Sequence, residues 1–253
     1  MVTKKSCHLW LLIGLFCLGT QHVVAVAKYW DTDGGTPGTG ATPSGTWDGV
    51  TSNWTTDTTG ASATTTFANN DDAFFAAGTT ANTNYIVTLS GTQIANSVNL
   101  EADGGADVTI QGGTALQLGV GNTPFDVASG RTLTIGSAIT GGGNGLSKAS
   151  AGDLILSGTN SYIGATNVTV GTLFVGSGGS LSNASTVTVS ANAVLGGEGS
   201  IAGSMNMSTN AIVSPGDLKN DIGSLALDGT NDFTNGIYYF EVSDATLGTA
   251  GTD

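Results

Sequence analysis

Short apolar residues alternate with polar ones along most of the chain. Such pairs stand at Val87/Leu89, Val98/Leu100, Val108/Ile110, Leu116/Leu118, Leu133/Ile135, Leu154/Leu156, Val168/Val170, Leu173/Val175, Val187/Val189, Met205/Met207 and Leu225/Leu227. Each is bounded by Gly, Ser, Asn or Asp, and that pattern predicts short half-buried strands separated by turns. Gly, Thr, Ser and Asn interrupt every window long enough for a helix, so no ordinary helix is expected.

Spacing carries more information than the strand count. Val168, Val187, Met205 and Leu225 begin pairs 19, 18 and 20 residues apart, and Leu173/Val175, Val194-Leu195 and Ile212-Val213 trail behind them. Earlier, Val98, Leu116, Leu133 and Leu154 step by 18, 17 and 21. A period near 20 with two or more strands per period is the signature of a solenoid. A β-sandwich also places strands every 8 to 12 residues, but it does not bring like residues back at like positions. The predicted fold is therefore all-β, a parallel β-helix with coils of about 20 residues over 85–253. Residues 28–84 hold Trp30, Trp47, Trp54, Phe67, Phe74 and Phe75 among Gly, Thr and Pro. They read as an irregular, aromatic-rich N-terminal cap over the unpaired edge of the first coil. "GIYYFEV", Gly236 to Val242, is the most strand-like run, and the chain is read as cut short after it.

Residues 1–27 read as a signal peptide. Lys4 and Lys5 precede a ten-residue apolar run, Leu9 to Leu18, and Ala25-Val26-Ala27 supplies a small-x-small cut site with Lys28 as the expected first mature residue. Ten apolar residues fall short of the roughly 20 that a spanning helix needs. Cys7, Cys17, His8 and His22 all lie in this leader. The expected mature chain is left without thiol or imidazole, which excludes disulfides, Cys/His zinc sites and His-based triads. Lys28, Arg131, Lys148 and Lys219 face all 19 acids, a net charge of −15. Nucleic acid and anionic membranes are poor partners for such a field.

One stretch is more specific. Leu156, Ser157, Gly158, Asn160, Tyr162, Gly164, Thr166, Val168, Gly171, Leu173 and Val175 are spaced as in the autotransporter-associated β-strand repeat. Residues 146–176 resemble that passenger-type repeat of bacterial secreted and surface proteins, although the family usually has Gly where Ala149 or Ser150 stands. The resemblance implies a right-handed parallel β-helix, exported and displayed or released at the cell surface of a bacterium, with its own coils as stacking partners. The repeat has no catalytic, cofactor-binding or metal residues to carry over, and none is assigned.

Other chemistry is weaker. Asp31-Thr32-Asp33-Gly34-Gly35 is a partial calcium loop with Thr42 at the twelfth position, where a bidentate acid belongs. Gly197-Glu198-Gly199 and Gly119-Val120-Gly121 are incomplete dinucleotide fingerprints and fit solenoid corners better. Asp71/Asp72, Asp103/Asp107 and Asp217/Asp221 are candidate glycosidase carboxylate pairs by proximity alone; for a polysaccharide lyase only Arg131 and Lys148 are at hand as cations, and the net charge of −15 repels an anionic polymer. Tyr29 and the three cap tryptophans could stack on a cell-surface polysaccharide, or could simply fill the cap. The expected function is a non-catalytic structural passenger, with adhesion to glycans as the first alternative and a β-helical polysaccharide enzyme as the second.

Overall fold

The computed structural model describes residues 24–102, 105–182, 185–216 and 223–239. Residues 1–23, Asp103, Asp217, Lys219, Asp221 and the end of "GIYYFEV" lie outside them. The described residues form strands without a helix, and so no helix long and apolar enough to cross a membrane.

Strands of successive coils pair in parallel, building a twelve-stranded, a nine-stranded and a three-stranded sheet. In the nine-stranded sheet Leu133 pairs with Val108, Leu154 with Leu133, Leu173 with Leu154, Leu195 with Leu173 and Val213 with Leu195. All six side chains are buried. Parallel pairing in register holds coils about 4.8 Å apart, so like side chains sit on one another and leave no room for water. The molecule is a β-solenoid.

Coil length is less regular than the predicted period. Val194 pairs with Ile212 eighteen residues on, whereas Ile212 pairs with Ile237 twenty-five residues on. Strand length varies as well, from two residues to nine. Three register assignments change as a result. Val187 stacks on Thr166, and Val168 stacks on Val189. Met205 continues to Asn231, while Leu227 joins Ile201 in the three-stranded sheet. Val98 and Leu116 belong to the twelve-stranded sheet, apart from Leu133 and Leu154.

Val170 is also a correction. Its strand, Thr166–Val168, ends before it, and the chain turns through Gly171 at φ +72°. The alternation therefore stops, and the Val170 side chain is 48% exposed. A Cβ on Gly171 would lie 2.5 Å from the Ser150 carbonyl oxygen of the neighbouring coil, so the corner requires glycine twice, for torsion and for space.

At the N-terminal end, Trp30, Trp47, Trp54, Phe67 and Phe75 pack into one cluster with ring centroids 4.8–6.0 Å apart. The strand Gly45–Trp47 pairs with Tyr85–Leu89, and Ala27–Trp30 with Asp71–Phe75. The strands of this aromatic-rich region thus continue the sheets, and its rings belong to the buried core.

Two substitutions separate the lumen from the corner. Leu173→Asp places a charge in a dry stack and is expected to lower the melting temperature by more than about 10 °C. Val170→Asp should stay within about 2 °C of wild type, since surface changes cost little. Circular dichroism melts of the two variants check this, and equal losses would contradict the inward and outward assignments.

Candidate functional site

The repeat coil, residues 146–176, was the strongest sequence signal, and its polar residues prove to be buried. Asn160 is 3% exposed and fully engaged. Its Oδ1 accepts the Ile139 amide at 2.9 Å, and its Nδ2 donates to the Gly158 and Ser180 carbonyls at 3.0 and 3.1 Å. One amide side chain thereby ties together three consecutive coils, adding to the backbone bonds from Asn160 to Ser180 and from Ser180 to Gly158 that also join them.

Tyr162 anchors a second buried chain. Its hydroxyl lies 2.8 Å from Thr166 Oγ1, which lies 2.9 Å from Ser185 Oγ, which donates to the Gly164 carbonyl at 2.9 Å. Burial pushes the Tyr162 pKa up, only partly opposed by the Thr166 hydrogen bond, so the phenol stays neutral. These hydroxyls satisfy one another and a backbone carbonyl. A Cβ at Gly164 would overlap the Asn144 carbonyl below it.

Lys148 is the residue sequence reasoning misjudged. It was placed among cations available to a sugar acid, yet it is wholly buried. Lys148 stacks between Phe125 and Val168 in the twelve-stranded sheet. Its ammonium donates to the carbonyls of Ala149, Ser150 and Val170 at 2.7, 2.7 and 3.2 Å. All three donors of the lysine are used on a corner whose carbonyls have no strand partner. Desolvation lowers its pKa from 10.5 to about 8, against the opposing pull of the Asp153 and Asp126 carboxylates. Arg131 is spent the same way, donating to Gly105 O at 2.7 Å and Ala102 O at 2.9 Å.

The departure at Ser150 also has a physical reading. Ser150 sits at φ +62°, a left-handed conformation that glycine adopts without strain, which accounts for the glycine usual at this point of the repeat. Its hydroxyl donates to Asp126 Oδ1 at 3.0 Å, a partial compensation.

The remaining candidates do not converge. Trp30, Trp47 and Trp54 are fully buried and offer no face to a sugar. Tyr29 is half-buried, stacked on Phe74 with centroids 4.9 Å apart. Phe74 lines an open groove of about 420 Å³ with Asn99, Glu101 and Asp126. Asp71 and Asp72 point to opposite faces of their strand: Asp71 is buried, and Asp72 accepts the Ser97 hydroxyl at 2.8 Å. Asp107 accepts the Thr132 amide. In the partial calcium loop, Asp31 is turned inward, its Oδ1 taking the Asp33 and Gly34 amides at 3.1 and 3.0 Å. Burial raises its pKa despite those two hydrogen bonds. Among the described residues no three His, Cys, Asp or Glu side chains gather as a metal would need. Gly197, at φ +116°, ends the strand Val194–Gly197, and Gly119 follows the strand Ala115–Leu118, both outside any helix.

Residues 146–175 match the model of the passenger-associated-transport-repeat family. The chain carries an autotransporter passenger repeat. It is also similar to an adhesin, the BmaC autotransporter of Brucella suis biovar 1 (strain 1330), at 36% identity over 196 residues. That match covers 76% of this chain and 5% of the adhesin, so the chain spans a small part of its relative's length. No solved structure matches the chain significantly.

The buried lysine gives a pH test. With a folded pKa near 8 and an unfolded value of 10.5, the unfolded chain binds more protons between them, so stability rises with pH across that window and the penalty is full below it. Relative to Lys148→Met, wild type should gain thermal stability between about pH 8 and 9.5; parallel pH profiles would contradict the assignment. Ser150→Gly is expected to raise the melting temperature by about 1–3 °C, because relief of left-handed strain exceeds one exposed hydrogen bond. A calorimetric scan reads the sign.

Proposed function

We propose that this chain is a non-catalytic, exported β-helical passenger segment that extends or displays a surface outside a bacterial cell. The observation that carries the reading is the use made of the repeat's polar residues. Asn160, Tyr162, Thr166 and Lys148 are each turned inward and saturated by backbone or by one another. The most specific stretch of the sequence is thus devoted to joining coils. Its match to a passenger repeat and the likeness to a segment of an autotransporter adhesin support the same reading. Removal of the leader at export belongs to this proposal, as does a location at or beyond the cell surface.

Adhesion to a polysaccharide is the second reading. It is favoured by the likeness to an autotransporter adhesin and by the Tyr29–Phe74 stack beside the groove that Asn99, Glu101 and Asp126 line. A half-buried aromatic pair next to hydrogen-bonding side chains offers a sugar an apolar face with polar groups at its edge.

A glycan array probed with the exported chain separates the two. The structural reading predicts no bound glycan. Binding that falls at least about tenfold on Phe74→Ala, without loss of β-sheet signal, would replace it with the adhesive one.

A further inference from the structure

Val26, whose side chain is 43% exposed, and Ala27 are tied to the edge of the folded sheet by their backbone groups, downstream of a short exposed lead. The Val26 amide donates to Asp71 Oδ1 at 3.2 Å, and the Val26 carbonyl accepts the Asp72 amide at 3.0 Å. Ala27 pairs with Asp72 in the parallel ladder. Two residues earlier, Val24 is 79% exposed. The strand Ala27–Trp30 and its lead therefore need Val26 to complete their hydrogen bonds.

Asp71 makes the arrangement unusual. It is 3% exposed, and its second oxygen accepts the Ala68 amide at 3.1 Å. The described cations are engaged elsewhere: Lys28 with the Thr65 hydroxyl, Arg131 and Lys148 with backbone carbonyls. A carboxylate buried on neutral amides alone is costly, and a positive charge beside it removes most of that cost.

We infer that export processing cuts the chain between Ala25 and Val26, and that the α-ammonium freed on Val26 pairs with the buried carboxylate of Asp71. Water adds across the Ala25–Val26 peptide bond under a leader peptidase, leaving a carboxylate on Ala25 and the ammonium on Val26. This rests on the export reading above but moves the cut two residues upstream of the expected site after Ala27, into the Ala25-Val26-Ala27 motif. Val23 and Ala25 supply an uncharged and a small residue at the positions such a peptidase reads. A cut after Ala27 would instead remove Val26 and Ala27, leaving Asp71 Oδ1 without its donor and the Asp72 amide without its acceptor. The counter-charge exists only once the leader is gone, so removal of the leader completes the first coil.

The full 253-residue chain, expressed with its leader in a bacterium with two membranes, gives the test. Mass spectrometry of the exported product should find Val26 as its first residue. A product that begins at Lys28 overturns this inference and leaves the export reading standing; a chain that stays in the cytoplasm with Met1 intact overturns the export reading and this inference with it. Acetylation of the Val26 amine should run at least about tenfold slower in the native protein than in the same protein unfolded in urea, since pairing holds the proton on. Asp71→Asn should remove most of that protection, and equal rates in native and unfolded wild type would overturn the ion pair.

Discussion

Parallel hydrogen bonding between successive coils, in register, is the constraint on which the rest of this molecule depends. It fixes a rise of about 4.8 Å per coil and stacks each side chain on its counterpart. Leu133, Leu154, Leu173, Leu195 and Val213 form one such column. A column of this kind tolerates almost any small apolar residue and rejects charge, because no water reaches it. The same constraint makes coils interchangeable in length, provided that the excess is carried at corners.

Corners are where the ladder fails, and there the sequence becomes specific. Backbone carbonyls that turn away from both neighbouring strands must be satisfied by something. Lys148 meets three carbonyls and Ser185 one more through the Tyr162–Thr166 chain, while Asn160 adds side-chain bonds to the Gly158 and Ser180 carbonyls, which also accept backbone amides. Glycine stands where a Cβ would strike the coil below, as at Gly164 and Gly171. The spaced consensus of the repeat is, on this account, a list of corner repairs. That is why a conspicuous set of polar residues yields no pocket and no reactive group.

Alternation made the strands, the lack of helix and the solenoid legible, because a half-buried strand writes its burial into the chain with period two. It also found the columns Leu133–Leu154 and Leu173–Leu195–Val213. Register elsewhere was not legible: a run such as Val168-Thr169-Val170 looks like one strand, and only the turn at Gly171 shows that Val170 lies outside it. Corner insertions displaced Leu227 into the third sheet for the same reason. The cap tryptophans were ambiguous because an aromatic ring suits a core and a sugar equally; packing at 5.0 Å against one another decides for the core. Lys148 was misjudged because charge predicts exposure unless unpaired carbonyls surround it, and their positions are set by the fold alone.

The register itself is open to direct measurement. Ile86, Thr109, Thr134, Ile155 and Phe174 occupy equivalent places on five successive coils. Spin labels at Ile86 and, in turn, at Thr134, Ile155 and Phe174 should lie about 10, 14 and 19 Å apart along the stack, a constant increment for each coil. Distances that fail to grow by that increment would contradict the stacked-coil account.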